Sequence, residues 1–240
     1  MVGAWEIDNK SNVSLCILIP HKGVVSMRFA LSLSSVTRPV GTNISANKTY
    51  GVDLSRNLLV KNALKIGATH VLFWDTDVIP YDNNIIIDLF NELISRNLDI
   101  LSANYSSKNT MDISTNRYMP SAWLFNKKTG VYDSVDNDIE GIYEVDVVGM
   151  GFCLIKTDVF RNIDYPYFIF NNKGDTYKES GSLLLDRILG EDFYFCNKVR
   201  NAGYKVNIDF SRKCYHEYDT LIDGDGFIVN LLHNEKNESG

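Results

Sequence analysis

Apolar positions along the chain follow two alternating patterns, short continuous runs and longer runs spaced three or four residues apart. SLCILIP (14–20) is a continuous run closed by Pro20, which suits a strand buried on both faces. VVSMRFALSLSSV (24–36) reads as a helix, and the Gly-, Asn- and Ser-rich stretch 41–53 as a loop able to carry a short strand. In DLSRNLLVKNALKIG, Leu54, Leu58, Leu59, Asn62 and Ile66 recur at helical spacing and Gly67 stands where a helix C-cap belongs. HVLFW (70–74) then predicts a strand, NNIIIDLFNELISRN a helix, and LDILSANY (98–105) a strand. Strands alternating with helices predict an α/β fold built on a parallel sheet, whose ligand chemistry gathers at the carboxyl ends of the strands.

The second half breaks this rhythm. Residues 106–144 mix turn formers with scattered aromatics, as short antiparallel strands and mobile loops do, and are expected to face a second substrate. EVDVVGMGFCLIKTDVF (144–160) is β-rich around Gly149-Met150-Gly151, where backbone can approach a ligand closely. Gly190-Glu191-Asp192 opens a helix that presents Phe193, Cys196 and Val199 on one face and stops at Gly203; a strand leading to His216 follows. Residues 219–240 are expected to form a frayed tail.

At 240 residues and 45% hydrophobic composition the chain can bury one large core, and a single domain is expected, with 14–105 and 106–218 as its two halves. No apolar run is long enough to span a bilayer, and MVGAWEIDNKSN lacks the basic and apolar regions of a secretory signal, so a cytoplasmic protein is expected. Cys16, Cys153, Cys196 and Cys214 lie far apart among apolar neighbours and read as free buried thiols. The formal charge of −6 speaks against a nucleic-acid partner. It leaves room for an anionic substrate if a metal ion stands between that substrate and the carboxylates.

Asp75 and Asp77 are the carboxylates in question, placed at the end of an apolar strand. On extended chain they would point to opposite faces, unless the chain turns there. Magnesium and manganese bind through one or two protein carboxylates and take their other ligands from water and substrate phosphates. The simpler reading is a solvated strand end with one aspartate capping the next helix.

Several features in order resemble the GT-A fold glycosyltransferases, especially family 2-like and viral or phage-encoded members, over about residues 14–218. They are the strand ending in Pro20, Ser55-Arg56-Asn57 in a helix, the apolar run into Asp75-Thr76-Asp77, Gly149-Met150-Gly151, Gly190-Glu191-Asp192 and a late His216. The resemblance implies a Rossmann-like, mostly parallel central sheet flanked by helices, with a smaller antiparallel region on the acceptor side. It further implies a nucleoside diphosphate sugar donor, Mn2+ or Mg2+, and a glycan, lipid or protein acceptor. By the same resemblance Asp77 is the direct metal ligand, Asp75 its partner on the metal or ribose side, and His216 a further metal ligand. Asp192 becomes the general base of an inverting reaction, and Glu191 holds the acceptor hydroxyl or the loop. Pro20, His21, Arg56, Asn57, Thr76, Gly149 and Gly151 would line the donor.

Each residue also has a plainer reading. Glu191 and Asp192 suit a helix first turn, where such charges contribute about 0.3–1 kcal/mol. Arg56 and Asn57 fit a solvated helix face, His21 a loop, and His216 a core histidine. Trp74 and Trp123 fit the core, Trp123 being the better sugar platform. Three other functions compete. A haloacid-dehalogenase-type phosphatase would use Asp75 as nucleophile, but places that motif on its first strand. A sugar nucleotidyltransferase would need a Gly-rich basic loop after the first strand, which PHKGVVSMRF matches poorly. A non-catalytic nucleotide-sugar or glycan-binding module would share the fold.

Overall fold

The computed structural model describes residues 13–48, 51–136, 138–170, 190–217 and 221–229. The N-terminal stretch read for a targeting signal and the end of the tail, 230–240, lie outside the described residues. The first half runs β1 (Leu15–His21), α1 (Met27–Ser35), β2 (Asn43–Lys48), α2 (Val52–Lys65), β3 (His70–Trp74), β4 (Val78–Pro80), α3 (Ile85–Ser95) and β5 (Ile100–Asn104). Next come β6 (Ser106–Asp112), β7 (Arg117–Pro120), β8 (Ala122–Asn126), β9 (Val131–Ser134), β10 (Ile142–Val145), β11 (Val147–Val148) and β12 (Phe152–Lys156). The chain continues with α4 (Thr157–Arg161), α5 (Glu191–Asn201), β13 (Val206–Glu217), β14 (Leu221–Ile222) and β15 (Ile228–Val229).

The centre of the main sheet is ordered β2-β1-β3-β12-β5-β13. β1 pairs parallel with β2 and β3, and β5 with β13, while β12 is antiparallel to both β3 and β5. Five of these six strands therefore point the same way, as the α/β alternation predicts. The reversed strand, β12, comes from the tract read only as β-rich. Its reversal brings Gly149-Met150-Gly151 to the edge where β3 and β5 end.

Strand pleating divides the core in two. Cys16 and Leu18 of β1, Val71 and Phe73 of β3, and Cys153 and Ile155 of β12 face α2, α4 and α5. Their neighbours Leu15, Ile17, Leu72, Trp74, Phe152 and Leu154 face α1 and α3. Both faces of the strands are buried, which explains why their sequences are continuous apolar runs. Gly67 and Gly203 follow α2 and α5 with φ of 76° and 91°, so both predicted helix stops rest on a backbone that glycine adopts readily.

The irregular half does form short antiparallel sheets, β11-β8-β9 and β6-β7. Part of the expected tail is ordered: β14 pairs with β13 and with β15, so residues 221–229 close the sheet beyond His216. All four cysteines are free and buried. No helix among the described residues is long and apolar enough to cross a membrane.

Candidate active site

The carboxyl ends of β3 and β5, the end of β13, the segment before β12 and the start of α5 meet at one edge of the sheet. β3 does not run straight past Trp74. The Val78 N–H donates to the Asp75 carbonyl at 3.1 Å, making Asp75-Thr76-Asp77-Val78 a tight turn. Two further bonds pin it: Asp75 N–H to the Gly151 carbonyl at 2.8 Å and Trp74 Nε1–H to the Val78 carbonyl at 2.8 Å. The turn releases the two carboxylates from strand alternation, and each joins a different cluster.

Asp75 belongs to a cage around Arg56. This arginine, in α2, is only 2% exposed. Its Nη2 donates to both Asp75 carboxylate oxygens, at 2.9 and 3.2 Å, and its Nη1 to Glu191 Oε1 and Asp192 Oδ1. Phe73 and Phe168 flank the guanidinium at 5.9 Å, and its buried Nε lacks a protein partner. One cation faces three acids. Burial pushes Asp192 up to about 7, Arg56 opposes the shift, and Glu191 and Asp75 add to it. Asp75 is raised as well, first by burial, against the pull of Arg56, with Asp77 and then Glu191 adding to the rise. With two negative charges in excess, a proton held on one of the carboxyls relieves the repulsion. Asp192 Oδ2 also accepts from Met150 N–H at 3.2 Å. The Asp75 and Asp192 side chains are 26% and 24% exposed and Glu191 10%, so Glu191 is the most enclosed of the three acids on Arg56.

Asp77 belongs to the other cluster. Its side chain is 45% exposed, the most open of these carboxylates. Lys108 Nζ of β6 donates to Asp77 Oδ2 at 2.7 Å, and His216 Nε2 of β13 lies 3.6 Å from the same oxygen. Nδ1 of His216 is 2.6 Å from the Ser106 carbonyl. A carbonyl only accepts, so Nδ1 carries a proton, and Nε2 is the ring nitrogen turned to Asp77. Burial would raise the Asp77 carboxyl, but the His216 and Lys108 contacts outweigh it and hold the group well below the usual carboxylate range.

These residues fit a shared cation better than an enclosed one. Among the described residues, no group of three or more His, Cys, Asp or Glu is arranged to hold a metal. Asp77 and His216 are the two side chains that could hold a divalent ion here, with water and phosphate oxygens completing its shell. Asp75, with both oxygens on Arg56, stands apart from that pair.

Other predicted residues are placed as follows. Thr76 lies in the turn and is partly exposed. Pro20 is buried at the end of β1, and His21 beside it accepts from Gly23 N–H through Nδ1 at 3.1 Å, outside the Arg56 cage. Neither Arg56 nor Asn57 forms a solvated face. Asn57 Nδ2 donates to the Phe168 carbonyl at 2.6 Å while its Oδ1 accepts from Tyr167 and Phe168 N–H, tying that segment to α2. Gly149 and Gly151 make room for Tyr105: a Cβ on Gly149 would lie 2.1 Å from the phenol oxygen, and one on Gly151 2.7 Å from Cζ. Trp74 is core, and Trp123 packs on Phe193 with ring centroids 5.0 Å apart.

Two residues of the edge had no place in the sequence reading. Tyr105, buried where β5 ends, accepts from Gly151 N–H at 2.8 Å and stands edge-on to His216. Lys108 lies in the tract read as irregular. The available signal was position, since Tyr105 is the last residue of the predicted strand 98–105 and Lys108 follows it by three. A separate cleft of about 410 Å³, lined by Phe125, Tyr132, Asn197 and Arg200, lies at the far end of α5.

No protein-family model and no curated protein matches the chain. Among solved structures it is similar to the crystal structure of A197 from STIV, with a TM-score of 0.62 and 20% identity over 90% of this chain and 93% of that one. Fold and site together define an α/β protein with a central, mostly parallel sheet flanked by helices and a cluster of acids at its carboxyl edge. The likeness to A197 is one of fold.

Proposed function

We propose that the protein is a metal-dependent glycosyltransferase of the GT-A type, moving a sugar from a nucleoside diphosphate sugar to an acceptor hydroxyl. The observation that carries this reading is the exposed Asp77 carboxylate beside Nε2 of a His216 tethered through Nδ1, at the carboxyl edge of the sheet. Asp77 and His216 would hold Mn2+ or Mg2+. A bound ion of this kind neutralises charge on a departing diphosphate. Lys108, already on Asp77, adds positive charge beside the same position.

Asp192 acts as general base. The acceptor oxygen forms its bond to the anomeric carbon as the bond to the diphosphate oxygen breaks, and the acceptor's proton passes to the Asp192 carboxylate, inverting the sugar. Arg56 and Glu191 position that carboxylate, and Asp75 completes the counter-charge of Arg56. The acceptor is a glycan, a lipid or a protein, and the setting cytoplasmic. Asp75 is poorly placed for a phosphatase nucleophile, because Arg56 holds both its oxygens.

The alternative is a module that binds a nucleotide sugar without turning it over. It is favoured by one observation, that both Asp192 oxygens accept hydrogen bonds from the protein. A thermal-shift panel of UDP-, GDP- and dTDP-sugars, with and without Mn2+, tests the shared part, because a ligand of the native state raises its stability. A shift requiring both nucleotide and metal supports the reading. Slow Mn2+-dependent hydrolysis of that donor then separates enzyme from module, and a panel without any joint shift overturns both.

A further inference from the structure

The segment around α1 presents apolar side chains to solvent beside the candidate active edge. Ser26 caps α1, its Oγ accepting from Phe29 N–H at 3.1 Å, and thereby sets which face turns inward. Phe29 is buried, while Met27 and Leu31, one turn apart, are 74% and 60% exposed, and Val24 in the preceding loop is 88% exposed. Such values belong to side chains that project from the surface.

The stretch of chain that carries this patch holds charge of one sign. From residue 13 to 48 the chain holds Lys22, Arg28, Arg38 and Lys48 and no Asp or Glu, in a protein of net charge −6 with thirty acids. Lys22 and Arg28 stand within the patch, and both are exposed. The patch also borders the site: Arg28 Nη1 donates to Glu217 Oε1 at 3.4 Å, and Glu217 directly follows His216. β1, which leads into this loop, ends at the same edge as β3.

We infer that the Val24–Leu31 surface docks on an anionic lipid surface, with Val24, Met27 and Leu31 entering the interface and Lys22 and Arg28 meeting the headgroups. Projecting apolar side chains flanked by cations suit an interface that needs no matching shape, and an otherwise acidic protein would be repelled there on its other faces. Docking turns the carboxyl edge toward the bilayer. On the transferase reading, that selects a lipid-linked or membrane-borne acceptor.

Flotation of the full chain with phosphatidylcholine vesicles, with and without phosphatidylglycerol, tests this without donor or turnover. The protein should float only with the anionic vesicles, and less as salt rises. Met27→Asp/Leu31→Asp should weaken partitioning roughly tenfold or more. Val24→Asp, in a loop where it cannot disturb the core, should act in the same direction. No flotation of the parent, or equal flotation of parent and Val24→Asp, overturns the inference. So does a dimer in sedimentation velocity that Met27→Asp/Leu31→Asp dissolves while vesicles bind neither form. A donor panel without response would remove the transferase reading and leave the flotation result standing.

Discussion

At the residue scale, Asp75 and Asp77 look equivalent in sequence and differ in place. Asp75 is a counter-ion of Arg56 and Asp77 is open to solvent, so their substitutions should diverge. Asp77→Asn is expected to abolish Mn2+-dependent stabilisation by nucleotide sugar while changing unfolding free energy by less than about 1 kcal/mol, as half-exposed polar sites do. Thermal shift with and without ligand measures both. Arg56→Met should instead cost about 3–5 kcal/mol in urea denaturation, because it strands three partly buried carboxylates without a counter-charge. Arg56→Lys keeps the charge but cannot reproduce the forked contacts, and should fall between parent and Met. None of this was legible in Ser55-Arg56-Asn57, where a helical arginine reads as a solvated face. Its partners lie 19 and 135 positions away.

At the scale of elements, Gly149-Met150-Gly151 works as one piece with the Asp75–Val78 turn. Gly151 receives Asp75 N–H through its carbonyl and donates its own N–H to Tyr105. Gly149→Ala would drive a methyl into the Tyr105 hydroxyl. It should destabilise by about 1–3 kcal/mol, the usual cost of overpacking, and weaken nucleotide binding by shifting the turn. A melting curve and the ligand-induced shift, measured on the same variant, check both effects. The sequence pointed to a close approach at these glycines and assigned it to a ligand. What approaches is Tyr105, at the end of a strand far away in sequence. The same holds for β12: its apolar run gave a strand but not its direction, which depends on the slot left between β3 and β5.

For the whole molecule, the excess of acids at one edge links charge, pH and the proposed chemistry. Asp192 is raised to about 7, so between the ordinary carboxylate range and that value the native state holds a proton that the unfolded chain releases. Its contribution to stability is complete at low pH and is lost as pH rises toward 7. The stability advantage of the parent over Asp192→Asn should therefore shrink between pH 4.5 and 8, as read by urea midpoints. A base must be unprotonated, so kcat/KM for sugar transfer should rise with pH through about 7. Asp192→Asn should lack that limb and bind donor and metal almost as the parent does. His216→Ala should weaken Mn2+ binding and leave the limb in place, since the proposed mechanism gives the proton to Asp192 and not to His216.

The sequence by itself determined the order of the first strands and helices, the burial of both sheet faces and the edge at which Asp75 and Asp77 stand. These follow from local pattern: continuous apolar runs need cover on both sides, amphipathic helices supply it, and Gly67 and Gly203 end helices for backbone reasons that act within a few residues. Only the tertiary structure decided which acids pair with Arg56, why Gly149 and Gly151 are small, and that Lys108 and Ser106 come to Asp77 and His216. Those facts depend on contacts between residues up to 136 positions apart. Such contacts leave no local period in the chain, because they are set by the packing of strands and helices and not by the residues beside them.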